Sequence, residues 1–278
     1  MKIRKIILKK LINESFKQIT TLDIGAALSP TFEFSLLSNK SIRVDGREDS
    51  IYLTSNDTEL ISFISDKEDE FFYELNKKTC SSLLKPNYIF LNQYPNSERF
   101  EIQNKIKIKA KNLSNIIKAN PELKAIKIDV QGAELKVLKS AAEYIKQIEF
   151  FEIETSFRTM YENGSTFSDV YNYLIENNFY LLDLRKQYWS NSKYSLSGDL
   201  IWCDCLFVRN DISNETNNIM SLVYGYLHRI KNENIKKNFK TLFLFNLLKL
   251  NILYNNLFNK IYLFRSPLSN CSEKKIGF

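Results

Sequence analysis

Between residues 20 and 208, short apolar runs that end in acidic or glycine residues alternate with stretches of helical spacing, and this alternation limits the fold more than any other feature. Thr21-Leu22-Asp23-Ile24-Gly25 is a strand candidate closing on a small-residue turn. SIRVDGRED (41–49) repeats the form, and ELISFIS (59–65) and DEFFYEL (69–75) follow. KIKIKAK (105–111) alternates basic and apolar residues, as a strand with one solvated face does. AIKIDV (125–130) leads straight into QGAELKVLKSAAEYI, where Leu135, Leu138 and Ala142 share one helical side. QIEFFEIE (147–154), FYLLDL (179–184) and DLIWCDCLFV (199–208) complete the strands, with a helix over 168–178 that Ser168 would cap and two asparagines stop. Strands alternating with helices predict an α/β fold, a mostly parallel sheet with helices on its faces.

Composition narrows the chemistry. With 44% hydrophobic and 26% charged residues the 278-residue chain is ordinary globular material, long enough for one α/β domain and an appendage. Cys80, Cys203, Cys205 and Cys271 form no CxxC pair and read as reduced thiols. Cys203 and Cys205, two apart on a strand, would face one side and pack in the core. A single histidine, His228, supplies neither a zinc site nor a Ser–His arrangement, so no metal is expected and acid–base work falls to carboxylates, lysines or tyrosines.

The net charge of +7 is unevenly spread. Residues 211–278 hold 10 basic against 4 acidic residues, and residues 1–10 hold 5 basic and none acidic, which leaves an acidic body. That pattern predicts a basic N-terminal helix (1–19), a main domain (20–210) and a basic helical C-terminal extension (211–278). It also suggests peripheral contact with an anionic membrane rather than nucleic acid, the alternative being that the terminal helices pack on the main domain or on a second subunit. The charges at Lys5, Lys9 and Lys10 break the first apolar run, and no window of about 20 apolar residues follows, so a cytoplasmic protein is expected. A homo-oligomer is compatible with all of this.

In open α/β sheets, ligands bind outside the carboxyl ends of the strands. The residues there are Asp23-Ile24-Gly25-Ala26, Asp45-Gly46, Ser65-Asp66, Asp129-Val130-Gln131-Gly132 and Glu152–Glu154. Asp45 stands 20 residues after Gly25, where a carboxylate can grip the two hydroxyls of a ribose. A nucleoside-containing cofactor follows from that spacing.

IKIDVQGAELKVLKSA (126–141) resembles the signature of the FkbM methyltransferase family, a lysine, strand, Asp-x-x-Gly-Ala-Glu-x-x-x-Leu block. DIGA (23–26), SDKEDEFFYELNKKTCSSLL (65–84), KNLSNII (111–117), IEFFEIETSFRTMY (148–161) and GDLIWCDCLFVR (198–209) resemble the family's other segments, in its order, over roughly residues 20–210. The resemblance implies a Rossmann-like class I methyltransferase fold, a seven-stranded sheet with its last strand antiparallel. It implies S-adenosylmethionine as cofactor, with Asp23, Gly25 and Ala26 on the turn near its methionine part, Asp45 on the ribose and Asp66 near the adenine. Asp129 and Glu134 would face the transfer site, where a base must take a hydroxyl proton. The acceptor implied is a hydroxyl of a sugar, in a surface polysaccharide or glycolipid. The family turn commonly carries Asn then Gly where this chain has Ala27 and Ser29, and the segment after Asp45 is short. A second reading, a methyltransferase-fold binding or scaffold protein, rests on those departures.

Overall fold

The computed structural model describes residues 2–27, 30–47, 57–190, 198–231 and 239–265, with side chains at the end of the last helix outside the description. Ser29, Cys271 and the segment between Arg47 and Asp57 therefore lie outside the described residues.

The strands are β1 (Ile19–Ile24), β2 (Ser38–Asp45), β3 (Asp57–Ile61), β4 (Phe63–Ile64), β5 (Asp69–Leu75), β6 (Ile102–Lys111), β7 (Leu123–Ile128), β8 (Phe150–Ser156), β9 (Phe179–Trp189) and β10 (Asp199–Arg209). The helices are α1 (Lys2–Ser15), α2 (Phe32–Leu37), α3 (Tyr88–Leu91), α4 (Leu113–Ala119), α5 (Glu134–Lys139), α6 (Phe167–Glu176), α7 (Asn214–Tyr224) and α8 (Phe239–Arg265). Seven strands form one sheet in the order β3-β2-β1-β7-β8-β10-β9. All neighbours are parallel except β10, the last strand, which runs antiparallel to both β8 and β9. The mostly parallel α/β sheet expected from the sequence is thus present. Its order reverses between β1 and β7, which makes their carboxyl ends the switch point where such sheets bind ligands.

The third strand candidate does not run through. It breaks at Ser62: β3 joins the edge of the large sheet, while β4 pairs with β6 in a second sheet of order β4-β6-β5. DEFFYEL joins this small sheet as β5, antiparallel to β6. Cross-strand charge selects that pairing, since Lys109 lies 2.8 Å from Glu68 and 3.8 Å from Asp69.

Two apolar clusters cover the faces of the large sheet. On one face Ile24, Val44, Ile128 and Ile153 pack with α4, α5 and α6. Cys203 and Cys205 are buried there, their sulfurs 3.2 Å apart, as two residues on one side of a strand must be. On the other face Ala125, Phe150, Leu206 and Val208 pack with α1, α2, α7 and α8. Residues on both sides of Asn210 share this second cluster. Within α1, Ile7, Leu8, Leu11 and Ile12 are buried while Ile6 faces out, so the buried stripe is narrower than the apolar count implies. α8 leaves Phe243, Leu247, Leu250 and Leu253 exposed, and no described helix is long and apolar enough to cross a membrane.

One cap differs from expectation. Thr166, not Ser168, starts α6, because its backbone N–H donates to the Asp169 carboxylate at 2.8 Å and the pair closes a capping box. Asn177 and Asn178 do end the helix, Asn178 in the left-handed region at φ 70°.

Candidate active site

The site is held from below by a row of buried charges. β1, β2 and β7 each place one charged residue between two apolar ones, and the register aligns Arg43 with Asp23, Asp23 with Lys127, and Lys127 with Glu152 on β8. The signs alternate along this line. Arg43 Nη1 lies 3.3 Å from Asp23 and Lys127 Nζ 3.6 Å from it, and the Arg43 and Asp23 side chains are each only 1% exposed. Glu152 accepts from Thr31 Oγ1 at 2.9 Å and from the Tyr224 hydroxyl. Burial pushes the Asp23 carboxyl up, and Lys127 and Arg43 pull it back. Burial opposes the charge on Lys127, but Asp23, Asp129, Glu152 and Glu154 together raise its pKa. Asp23 therefore ties neighbouring strands together and lines neither of the two cavities described below.

Above this row the strand ends meet closely. Gly25, at φ +83°, could carry no side chain: a Cβ there would lie 1.9 Å from the Asp129 carbonyl oxygen. Ala26 is buried, donates to the Val44 carbonyl at 3.1 Å and accepts from Arg43. Beside this contact opens a cavity of about 500 Å³, lined among others by Gly25, Val44, Asp45, Phe63, Ile64 and Asp129. Gly46 admits the Phe63 ring, since a Cβ there would meet ring carbons at 2.2 Å. That puts an aromatic wall next to Asp45.

Asp45 stands at the rim of this cavity and already has a partner. Its Oδ1 accepts from the Arg47 backbone N–H at 3.0 Å and Arg47 Nε at 3.1 Å, and its Oδ2 from Nη2 at 3.3 Å. Asp66 is not brought to the site. It is exposed, accepts from Ser65 Oγ at 3.3 Å, and follows the break that sends the chain from β3 into the small sheet. Ser62, Phe63 and Ile64 line the cavity where Asp66 was expected.

A second cavity, of about 320 Å³, adjoins the first and shares Thr79, Asp129, Gln131, Glu154 and Asp204 with it. Gln131, in the left-handed region at φ 55°, bridges the acids: its Nε2 donates to Asp129 at 2.8 Å and to Glu154 at 3.2 Å. Burial, then the like charges of Asp129 and Asp204, push Glu154 well up. Glu154 faces Asp204 directly across the β8–β10 register. Four aromatic side chains also line this cavity, Phe100, Tyr161, Trp189 and Trp202, and the Tyr161 hydroxyl donates to Gln131 Oε1 at 3.3 Å. Glu154 belongs to a strand end already singled out, but Asp204 and the two tryptophans were missed. The signal available for Asp204 was a lone acid inside the apolar run DLIWCDCLFV.

Glu134 also lines the second cavity, at 1% exposure, and its bonds serve the turn before α5. It accepts from the Gly132 backbone N–H at 2.9 Å and from Ser165 Oγ at 3.3 Å, so it holds the left-handed pair Gln131 and Gly132 in shape. Burial pushes its carboxyl up to about 7. The folded state then holds the proton more tightly than the unfolded chain, so the contribution of Glu134 to stability falls as pH rises from 4.5 to about 7 and is constant outside that window. The full loss is about 3 kcal/mol. Glu134→Gln has no such proton to lose, and its stability relative to wild type should rise between about pH 4.5 and about pH 7 in urea titrations. A difference that does not change with pH would count against a buried, protonated Glu134.

Two adjoining cavities with acids on their common wall can bring two ligands together beside a proton acceptor. No curated protein matches the chain. Among solved structures, magnesium protoporphyrin IX methyltransferase from Synechocystis PCC 6803 with bound SAM is similar at 10% identity and a TM-score of 0.34, over 75% of this chain and 79% of that one. M. jannaschii TYW2 in complex with AdoMet is similar at 13% identity and a TM-score of 0.31, over 75% of this chain and 77% of that one. The methyltransferase FkbM domain matches residues 35–181, more than half of the chain. The chain belongs to the FkbM methyltransferase family and is an S-adenosylmethionine-dependent methyltransferase.

Proposed function

We propose that the methyl acceptor is a hydroxyl group of a sugar, as found in a surface polysaccharide or glycolipid, with the cofactor in the larger cavity and the sugar in the smaller. The observation that carries this reading is the common wall of Asp129, Gln131, Glu154 and Asp204 between the two cavities. Aromatic faces beside a cluster of acids suit a sugar ring, which offers apolar C–H faces and a rim of hydroxyl donors.

The larger cavity lies in the usual range for a ligand of the cofactor's size. Val44, Phe63 and Ile64 offer an apolar slot for a base, and Asp45 stands where a ribose would present its hydroxyls. When bound, S-adenosylmethionine supplies a sulfonium methyl group to a nucleophile in line with it. The protein's part is to hold the acceptor oxygen close and to take its proton, a role assigned to Asp129 and Glu154, which line both cavities. Arg47 occupies about three of the roughly four acceptor positions of Asp45, so ribose binding there requires Arg47 to give way.

S-adenosylhomocysteine should therefore raise the thermal midpoint of the wild-type protein, since a ligand of the native state stabilises it by mass action. Asp45→Ala should lose most of that shift. An absent shift in the wild type at millimolar ligand is the outcome that the scaffold reading, drawn from Ala27 and the short segment after Asp45, would require.

A further inference from the structure

We propose that the acceptor is anionic, a sugar carrying a carboxylate or a phosphate, and that Arg99 is the residue that recognises the charge. The inference rests on the assignment of the smaller cavity to the acceptor.

Arg99 comes from the 3-10 turn Ser97–Phe100, outside the large sheet, and lines the smaller cavity. Its guanidinium lies over the Trp189 ring at 4.7 Å and the Phe100 ring at 5.0 Å. Among the described residues its side chain has no carboxylate partner, and its Nε is buried without a hydrogen bond. Other arginines with an unpaired nitrogen are otherwise engaged: Arg4 with Glu33, Arg43 with Asp23, Arg209 with Asp211, Arg229 with the Tyr180 hydroxyl. Burial lowers the pKa of Arg99, the cost of removing a cation from water, and the nearby Glu98 offsets it only in part.

The same cavity is lined by four acids, Asp129, Glu134, Glu154 and Asp204, and among the described residues no ion pair joins any of them to Arg99. They come from the large sheet, the turn after β7 and the start of α5, whereas Arg99 comes from a turn outside the sheet, so one cavity is lined by both acids and a cation. Contact with two rings, tilted 59° to each other, holds the guanidinium in place and leaves its N–H groups for a planar or tetrahedral anion. A neutral sugar would satisfy the acids with its hydroxyls and leave those N–H groups unused. An anionic sugar satisfies both at once, and only one of its hydroxyls needs to reach the acids.

Trp189 and Trp202 are the chain's 2 tryptophans, and both line this cavity, so intrinsic emission reports on it directly. The protein loaded with S-adenosylhomocysteine would be titrated with glucuronate, glucose 6-phosphate, glucose and inorganic phosphate. At least one charged sugar should half-saturate at a concentration about tenfold or more below that of glucose, the effect of one charge-assisted hydrogen bond pair. Whichever of the two is tighter identifies carboxylate or phosphate. Arg99→Gln should bring the charged sugars to the level of glucose without changing affinity for S-adenosylhomocysteine, and Arg99→Lys should keep part of the preference. Equal response to charged and neutral sugars, no response to either charged sugar, binding of inorganic phosphate as tight as that of the sugar phosphate, or a preference that survives Arg99→Gln would overturn the proposal. Loss of S-adenosylhomocysteine binding in Arg99→Gln would also overturn it, by assigning Arg99 to the cofactor's own carboxylate. Failure of the wild type to bind S-adenosylhomocysteine strikes the cofactor assignment instead.

Discussion

Asp129→Asn and Glu154→Gln should each slow methyl transfer by on the order of a hundredfold or more while binding S-adenosylhomocysteine as the wild type does. Both acids lie on the wall common to the two cavities, and Gln131 holds them together through one amide. Removing either leaves a hydroxyl nucleophile without one of its proton acceptors but leaves Asp45 and the apolar slot untouched. The pH profile separates the two variants. Glu154 is pushed up by burial and by its acidic neighbours, so the wild-type rate should rise with pH as the cluster loses its last proton. Asp129→Asn removes one like charge from that cluster, and the rise should move to lower pH. Label carried from methyl-labelled cofactor into the acceptor fraction that the wild type modifies measures both effects. Wild-type rates in both variants would leave the acids a structural role only.

The strand-end residues Gly25, Asp45 and Asp129 were legible in the sequence because their positions follow from local pattern: a short apolar run, then a turn. Parallel strands of similar length put such turns at one edge of the sheet, whatever the details of packing. Asp66 was misplaced because nothing local marks the break at Ser62, where the chain leaves one sheet for another and turns Asp66 out to solvent. Glu154 and Asp204 depend on the antiparallel register of β8 and β10, strands far apart in the chain, and only that register sets them face to face. Arg99 depends on a turn tied to the site by aromatic contact and by a backbone hydrogen bond from Lys77, partners that are distant from one another in the chain or carry no local pattern. The row of buried charges was visible but open to misreading. Leu22-Asp23-Ile24, Ile42-Arg43-Val44 and Ile126-Lys127-Ile128 each look like a strand with one wet face. Here helices cover both faces, so the charges that would have met water meet each other.

Arg43→Met should be among the most destabilising single changes in the chain. Breaking a buried ion pair from one side typically costs about 3–5 kcal/mol, because the remaining charge stays desolvated. Asp23 would keep Lys127 at 3.6 Å but lose Arg43 at 3.3 Å, and the Ala26 carbonyl would lose its donor at 3.2 Å. At about 2–4 °C per kcal/mol for a chain of this size class, the thermal midpoint should fall by on the order of ten degrees. The double variant Asp23→Asn with Arg43→Met should recover part of that loss, since a buried neutral amide costs less than an unpaired carboxylate. Lys127 still has Asp129 at 3.5 Å and Glu152 across the register to pair with. The cycle therefore reads the worth of the Asp23–Arg43 contact rather than the collapse of the whole row. A single Arg43→Met variant that melts within a degree or two of wild type would mean that water reaches Asp23 after all, and that the alternating row is not what ties β1 to β2.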